Sequence, residues 1–259
     1  MLFDSHTHTE FSADSEMKAE EALARAEQLG IGLVFTEHLD ADYVSKDGKA
    51  FTFDPQAYWQ AYGRLRGDRL HLGVEIGMRE CTRSFSEEFA SQVDFDMIIC
   101  SQHLVDDIDI YYPDYYTGKG KQEAYQRYFV QMAMNLKTHS FADVLGHIDY
   151  ICRYAPYENS HISYREFADE IDEVLKNAIT TDTVLELNTR RLGDKEAVAY
   201  LKPIYQRYQE LGGRFVTLGS DAHDAAAVGA YLSLACDFAE ALKLQPVTFV
   251  QKKMVKMQK

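Results

Sequence analysis

The sequence predicts an α/β fold with a mainly parallel sheet, closed or nearly closed into a single barrel. Three observations carry that prediction. Seven short apolar runs recur along the 259 residues, each ending in polar side chains. Helical stretches fill the intervals, and strand–helix alternation along a whole chain marks parallel α/β architecture. No linker, repeat or low-complexity tract interrupts the series, and no glycine-rich phosphate loop follows the first run, which argues against an open dinucleotide-binding sheet. A parallel barrel commonly takes about 250 residues, so residues 1–259 are expected to form one domain.

The runs are MLFDSH (1–6), IGLVFTEH (31–38), LHLGVEIG (70–77), FDMIICSQH (95–103), ADVLGHID (142–149), TVLELNTR (183–190) and RFVTLGSDAH (214–223). Their near-continuous Val, Ile, Leu and Phe content suits strands buried on both faces. Between the first two, SEMKAEEALARAEQLG (15–30) predicts a helix capped by Ser15, stopped by Gly30 and striped by Ala22, Leu23, Ala26 and Leu29. DPQAYWQAYGRLRG (54–67) opens with Asp-Pro at a cap and first-turn position. The stretch 122–139 is long and apolar enough to pack on a sheet, and 163–179 sets Phe167, Ile171, Val174, Leu175 and Ala178 at helical spacing. A last helix over 194–213 contains Pro203, which predicts a kink or a second start. These stripes are core-facing surfaces and need no cofactor. One irregular stretch, LVDDIDIYYPDYYTGKGK (104–121), is long, aromatic and acidic, as a loop over an active site would be.

Composition bounds the partners. A 46% hydrophobic content supports a sizeable core, while 41 acidic against 27 basic residues give a net charge of −14. That balance disfavours a nucleic-acid contact surface. It leaves room for a small anionic substrate, because bound metal ions invert a local field. Cys81, Cys100, Cys152 and Cys236 are widely spaced without a C-x-x-C pair, which fits a reducing, cytoplasmic setting. No leader precedes the first strand and no run reaches membrane-spanning length, so no membrane partner is expected. Oligomeric state leaves no mark on the sequence.

In a parallel barrel, catalytic groups gather where the strands end. Of nine histidines, six (His6, His8, His38, His103, His147 and His223) stand at or just past the end of a predicted strand. Glu75 and Asp221 share such positions, and Asp14 lies in the loop after strand one. Any single one would pass as a structural histidine or a solvated carboxylate; five strands delivering imidazole to one rim point to metal binding. In DSHTH (4–8), strand alternation would turn Asp4, His6 and His8 to one side. His71, His139 and His161 fall elsewhere and read as structural. So many ligands exceed one ion's needs, implying two or three divalent transition-metal ions (zinc, manganese or iron), with Glu75 suited to bridge a pair. Paired ions suit hydrolysis of a phosphate monoester. Arg153 and Arg191 then read as phosphate-binding forks, with Asn188 and Ser101 as weaker substrate contacts and Glu37 as a partner behind the ligands.

Taken together, DSHTH, TEH (36–38), GVE (73–75), SQH (101–103), GHID (146–149) and GSDAH (219–223) resemble the polymerase and histidinol phosphatase (PHP) family, in order and across nearly the whole chain. The insertion YYPDYYTGK, with GHIDYICRY and LELNTRR, resembles its histidinol-phosphate phosphatase branch. The resemblance implies a distorted, TIM-like (β/α)7 barrel with its active site at the C-terminal strand ends, and a trinuclear centre. One ion would take His6, His8, Glu75 and Asp221; a second Glu75, His103 and His147; a third Asp14, His38 and His223. Asp4 would then support rather than ligate, and Arg153 and Arg191 would bind the substrate phosphate. The implied reaction is hydrolysis of L-histidinol phosphate to L-histidinol and phosphate in histidine biosynthesis, through a metal-bridging hydroxide. Asp221 or His223 would handle protons, and Asp106, Asp107 or Asp109 would meet the substrate's ammonium and imidazole. The competing readings are a phosphoesterase for another small phosphate such as a nucleotide or sugar phosphate, a nuclease-like enzyme trimming DNA ends, and a metal-binding protein without turnover.

Overall fold

The computed structural model describes residues 1–258. All seven predicted strands form: β1 (Phe3–Thr7), β2 (Gly32–Leu39), β3 (Leu70–Gly77), β4 (Met97–Ser101), β7 (Val144–Leu145), β8 (Val184–Asn188) and β9 (Phe215–Gly219). A short hairpin, β5 (Leu104–Val105) with β6 (Ile108–Asp109), interrupts the numbering. The helices are α1 (Ala19–Leu29), α2 (Pro55–Tyr62), α3 (Arg83–Ala90), α4 (Lys121–Thr138), α5 (Ala168–Thr180), α6 (Lys195–Glu210) and α7 (Leu232–Ala241). Two strands not expected from the sequence, β10 (Gln245–Val250) and β11 (Lys253–Lys256), end the series.

The main sheet runs β1-β2-β3-β4-β7-β8-β9-β10-β11, parallel throughout until β11 turns back on β10. It closes at one end only. Beyond the strand tips, Thr7 bridges Ala222, the amide of His8 donates to the Ala222 carbonyl at 2.8 Å, and the amide of Asp221 donates to the His6 carbonyl at 2.8 Å. At the opposite end β10 fills the gap, with the Ser5 and Thr248 hydroxyls 3.5 Å apart. Strand alternation sorts two cores. Phe3, Val34, Met97, Ile99, Val144 and Val184 meet Val247 and Phe249 of β10 in one cluster. Leu33, Phe35, Ile98 and Cys100, their neighbours along the same strands, join the larger cluster under the helices. A fully buried side chain of this kind contributes about 1.5–3 kcal/mol, so β10 acts as a hydrophobic plug rather than an ornament.

Local chemistry explains the helix ends. Asp54 accepts from the Gln56 amide at 2.8 Å with Pro55 behind it, as predicted. Gly30 ends α1 at φ +68, a left-handed conformation that glycine adopts without Cβ strain. Ser15 is not the α1 cap. Lys18 occupies that position, and the Ser15 hydroxyl instead ties the carbonyls of His8 and His223 together at 3.0 and 3.1 Å. α6 runs unbroken through Pro203, so neither a second start nor an interruption occurs there. No helix among the described residues is long and apolar enough to cross a membrane.

Candidate metal centre

The nine ligand-type residues predicted from the sequence converge at the closed end of the barrel. Glu75, at the end of β3 and fully buried, lies at their middle. Its Oε2 faces His6 Nε2 at 3.2 Å, His8 Nε2 at 3.5 Å and His38 Nδ1 at 3.0 Å. Its Oε1 faces His147 Nε2 at 2.8 Å and His103 Nε2 at 3.3 Å. Asp221 Oδ1 stands 3.8 Å from His6 Nε2 and 3.4 Å from His8 Nε2. Farther out, Asp14 Oδ2 lies 3.3 Å from His223 Nε2 and 3.6 Å from His38 Nε2, which are themselves 3.4 Å apart.

These separations fit metal ligation. Two nitrogens bound tetrahedrally to one zinc at about 2.0–2.1 Å would sit roughly 3.3 Å from each other. The buried Nε2 atoms of His6 and His8 and Oε2 of Glu75 have no hydrogen-bond partner in the protein, as expected of atoms that face an ion. Burial by itself would raise the carboxyls of Glu75 and Asp221. Both nevertheless lie well below the usual carboxylate range, Glu75 because His6, His103 and His38 surround it and Asp221 because of Arg153 and His6. Burial opposes the charged form of His38, but Asp14 and Glu75 raise it to about 9. His8, desolvated and crowded by His38 and His223, is held well below its ordinary value.

Asp4 departs from strand alternation. Asp4 pairs with Leu33 and Thr7 with Phe35, so three steps along β1 match two along β2. This bulge separates the Asp4 carboxylate from the cluster; it accepts instead from the Ser220 amide and hydroxyl and the Gly229 amide at 2.8, 2.6 and 2.8 Å. It thus fastens the loop that carries Asp221 and His223.

Several supporting groups were not picked out as such in the sequence. Glu186 Oε1 is 2.7 Å from His6 Nδ1, and its Oε2 accepts from the His147 amide at 2.7 Å. Asp40 holds His103 Nδ1 at 3.1 Å. Ser12 links His8 Nδ1, at 3.0 Å, to Glu37, at 2.7 Å, so Glu37 stands behind His8. In metal centres such contacts fix the imidazole tautomer and turn the other nitrogen toward the ion. For His223 that partner is the carbonyl of Asp221, 3.0 Å from Nδ1. Glu186 was visible only as a lone acid inside an apolar strand, and Asp40 as an acid two residues past His38.

The predicted substrate contacts divide. Arg153, side chain 8% exposed, donates to Asp221 Oδ2 at 2.5 Å and to Asn188 Oδ1 at 3.0 Å, and lies over the Tyr150 ring. Ser101 is fully buried and donates to Glu75 Oε1 at 2.6 Å, so its hydroxyl braces the carboxylate instead of meeting substrate. Asn188 is likewise buried and holds Arg153. Arg191 is committed to Asp149, at 2.9 Å, and His161, at 2.8 Å; it anchors the turn carrying Arg153. Arg190, half-exposed and 3.6 Å from Asp221 Oδ2, is the cation nearer the cluster.

A cavity of about 410 Å³ opens beside Asp14, His38 and His103, and the 104–121 stretch supplies part of its wall through Asp109, Tyr111 and Tyr112. Tyr43 donates to Asp109 there at 2.5 Å. Asp106 and Asp107 do not line it: they pair with Arg127 and Arg79 on the outside.

Known proteins resemble the chain along most of its length. The PHP domain family profile matches residues 4–190. A probable histidinol-phosphatase from Clostridium acetobutylicum is 43% identical over 256 residues, covering 99% of each chain. The histidinol-phosphatase of Lactococcus lactis is 30% identical over 86% of this chain and 84% of that one. A crystal structure of histidinol phosphate phosphatase from Lactococcus lactis, complexed with zinc, L-histidinol and phosphate, superposes with a TM-score of 0.90 at 28% identity, covering 98% of this chain and 99% of that one. A family match over most of the sequence, a relative this similar from end to end and a shared α/β barrel lead to one conclusion: the chain belongs to the PHP domain family.

Proposed function

We propose that the chain hydrolyses L-histidinol phosphate to L-histidinol and phosphate, with residues 1–259 acting as one catalytic domain. The observation that carries this reading is a shared wall: the acidic, tyrosine-lined cavity is bounded by Asp14, His38 and His103 of the ligand cluster. A phosphate monoester bearing an ammonium and a flat imidazole matches such a junction. Its phosphoryl group would meet the cations of the centre, and its cationic, aromatic part the carboxylates and rings of the cavity. The similarity to histidinol-phosphatases along the whole chain supports the same substrate.

Three ions are proposed, one held by His6, His8, Glu75 and Asp221, one by Glu75, His103 and His147, and one by Asp14, His38 and His223. Bound there, divalent transition metals (zinc, manganese or iron) would acidify a water and offset the phosphoryl charge. Arg153 supplies a planar fork to the phosphoryl oxygens, and Arg190 adds a second cation at the rim. As Arg153 turns to substrate, Asp221 Oδ2 is freed to accept the proton of the attacking water while the new P–O bond forms, and to return it to the histidinol oxygen as the ester P–O bond breaks. His223 is reserved for ligation, because its Nδ1 is bound to the Asp221 carbonyl. No side chain bonds to phosphorus in this scheme.

Turnover on a panel of phosphate monoesters with added Mn²⁺ or Zn²⁺ tests the proposal. A clear preference for L-histidinol phosphate over mononucleotides and sugar phosphates is expected. A preference for mononucleotides would overturn the substrate assignment.

A further inference from the structure

Three glycines stand beside the ligand cluster, and none needs to be glycine for its backbone. Gly77, Gly146 and Gly219 all lack the positive φ that would demand it. What each lacks is room for a side chain. A Cβ on Gly77, at the end of β3, would overlap the carboxylate of Asp40, which directly follows the neighbouring β2 and holds His103. A Cβ on Gly146, just past β7, would overlap the hydroxyl of Ser101 on β4, which braces Glu75. A Cβ on Gly219 in β9 would overlap both Glu186 Oε1 from β8 and the His6 Cβ from β1, the two residues joined at 2.7 Å.

We infer that Gly77, Gly146 and Gly219 are positioning residues of the metal centre, each providing the space in which a supporting group lies against a metal ligand. The inference rests on reading the cluster as a metal centre and adds a layer to it. Each glycine is paired with one supporting group and one ligand: Gly77 with Asp40 and His103, Gly146 with Ser101 and Glu75, Gly219 with Glu186 and His6. The arrangement follows from parallel strands. Neighbouring parallel strands bring these levels of the barrel together, so a polar side chain on one strand can lie across the next where that strand has no Cβ.

A double-mutant cycle tests this on the full-length holoenzyme. Metal content per chain and metal affinity by chelator competition are measured for wild type, Gly77→Ala, Asp40→Ala and the double variant, with thermal midpoints alongside. Gly77→Ala is expected to weaken one ion by about 10–100-fold, the size of effect seen when a ligand loses its supporting contact. Asp40→Ala is expected to do the same, and the double variant to be no worse than Asp40→Ala, because the methyl group then meets no carboxylate. If Gly77→Ala fails to fold, the double variant recovers folding under this reading. Wild-type affinity in Gly77→Ala, an equal penalty with and without Asp40, or two variants that both fail to fold would overturn it. A wild-type chain that binds no metal would instead overturn the metal centre itself, and this inference with it. The same cycle on Gly146 and Ser101 is expected to act on the ions that share Glu75.

Discussion

Arg153 offers the sharpest separation between binding a phosphoryl group and supporting the centre. Its guanidinium is nearly buried and bonded to Asp221 at 2.5 Å and Asn188 at 3.0 Å. Replacement by lysine keeps the charge and loses the fork. One hydrogen bond to a charged group is worth about 1.5–3 kcal/mol, so kcat/KM should fall roughly 10–150-fold. Replacement by alanine removes the charge and both donors of the fork; two hydrogen bonds to a charged group are worth about 3–6 kcal/mol, which corresponds to roughly 10²–10⁴-fold. Steady-state phosphate release, read together with metal content per chain, checks both numbers. If Arg153 serves the phosphoryl group, Arg153→Lys loses turnover while keeping its metal. Wild-type kcat/KM in Arg153→Ala, or a loss of metal that tracks the loss of activity in Arg153→Lys, would refute the assignment.

Chelation should abolish turnover and lower the thermal midpoint, because ions bound only to the folded state stabilise it by about 4 kcal/mol at a thousandfold excess over Kd, roughly 10 °C at this chain length. Differential scanning fluorimetry with and without chelator reads this, and an unchanged midpoint would count against a structural metal load. At the far end of the barrel, Asp96 accepts from Arg66 at 2.6 and 2.7 Å and from the amides of Leu72 and Gln251 at 3.0 and 2.7 Å. Burial raises its carboxyl, but Arg66 and the two amides outweigh that and hold it below its ordinary value. Its contribution is therefore present above about pH 4, the unfolded value, and is lost as pH falls through the lower folded value. Asp96→Ala should cost about 3–5 kcal/mol at neutral pH; a urea-midpoint difference that failed to shrink at acidic pH would refute the sign.

The cluster proposed as metal ligands was legible as a polar rim because of where its residues stand. All but Asp14 stand within, at or just past the end of an apolar run, so His38, Glu75 or His147 announces a polar strand end in a chain otherwise built for burial. What holds those ligands was not, since Glu186 and Asp40 look like ordinary acids until the register brings them against His6 and His103. The β1 bulge escaped for a similar reason: it depends on a mismatch with β2, and alternation within one strand cannot reveal it. β10 was missed because Gln245–Val250 begins with Gln-Pro and precedes a lysine-rich turn. Its burial comes from the open end of the barrel and not from its own pattern. The arginines show the same limit, as neighbouring Arg190 and Arg191 carry equal charge in the sequence and only the fold commits Arg191 to Asp149.

Charge explains why an acidic protein would bind a phosphate here at all. Glu75, Asp221, Glu186, Asp40, Glu37 and Asp4 are all buried around one end of the barrel, in a chain whose net charge is −14. Crowded carboxylates out of water repel one another and lose hydration, a cost that imidazoles and Arg153 only partly offset. Divalent cations at the same point reverse the balance: the acids that repel each other then attract the ions, and the loaded centre presents positive charge to an incoming anion. Removing an outer acid such as Glu186 should therefore act first on metal affinity and only through it on turnover. The cavity stays acidic beyond the ions, with Asp47 and Asp109 on its wall. One end of the site then favours a phosphate and the other a cation, and the substrate that satisfies both must carry both groups.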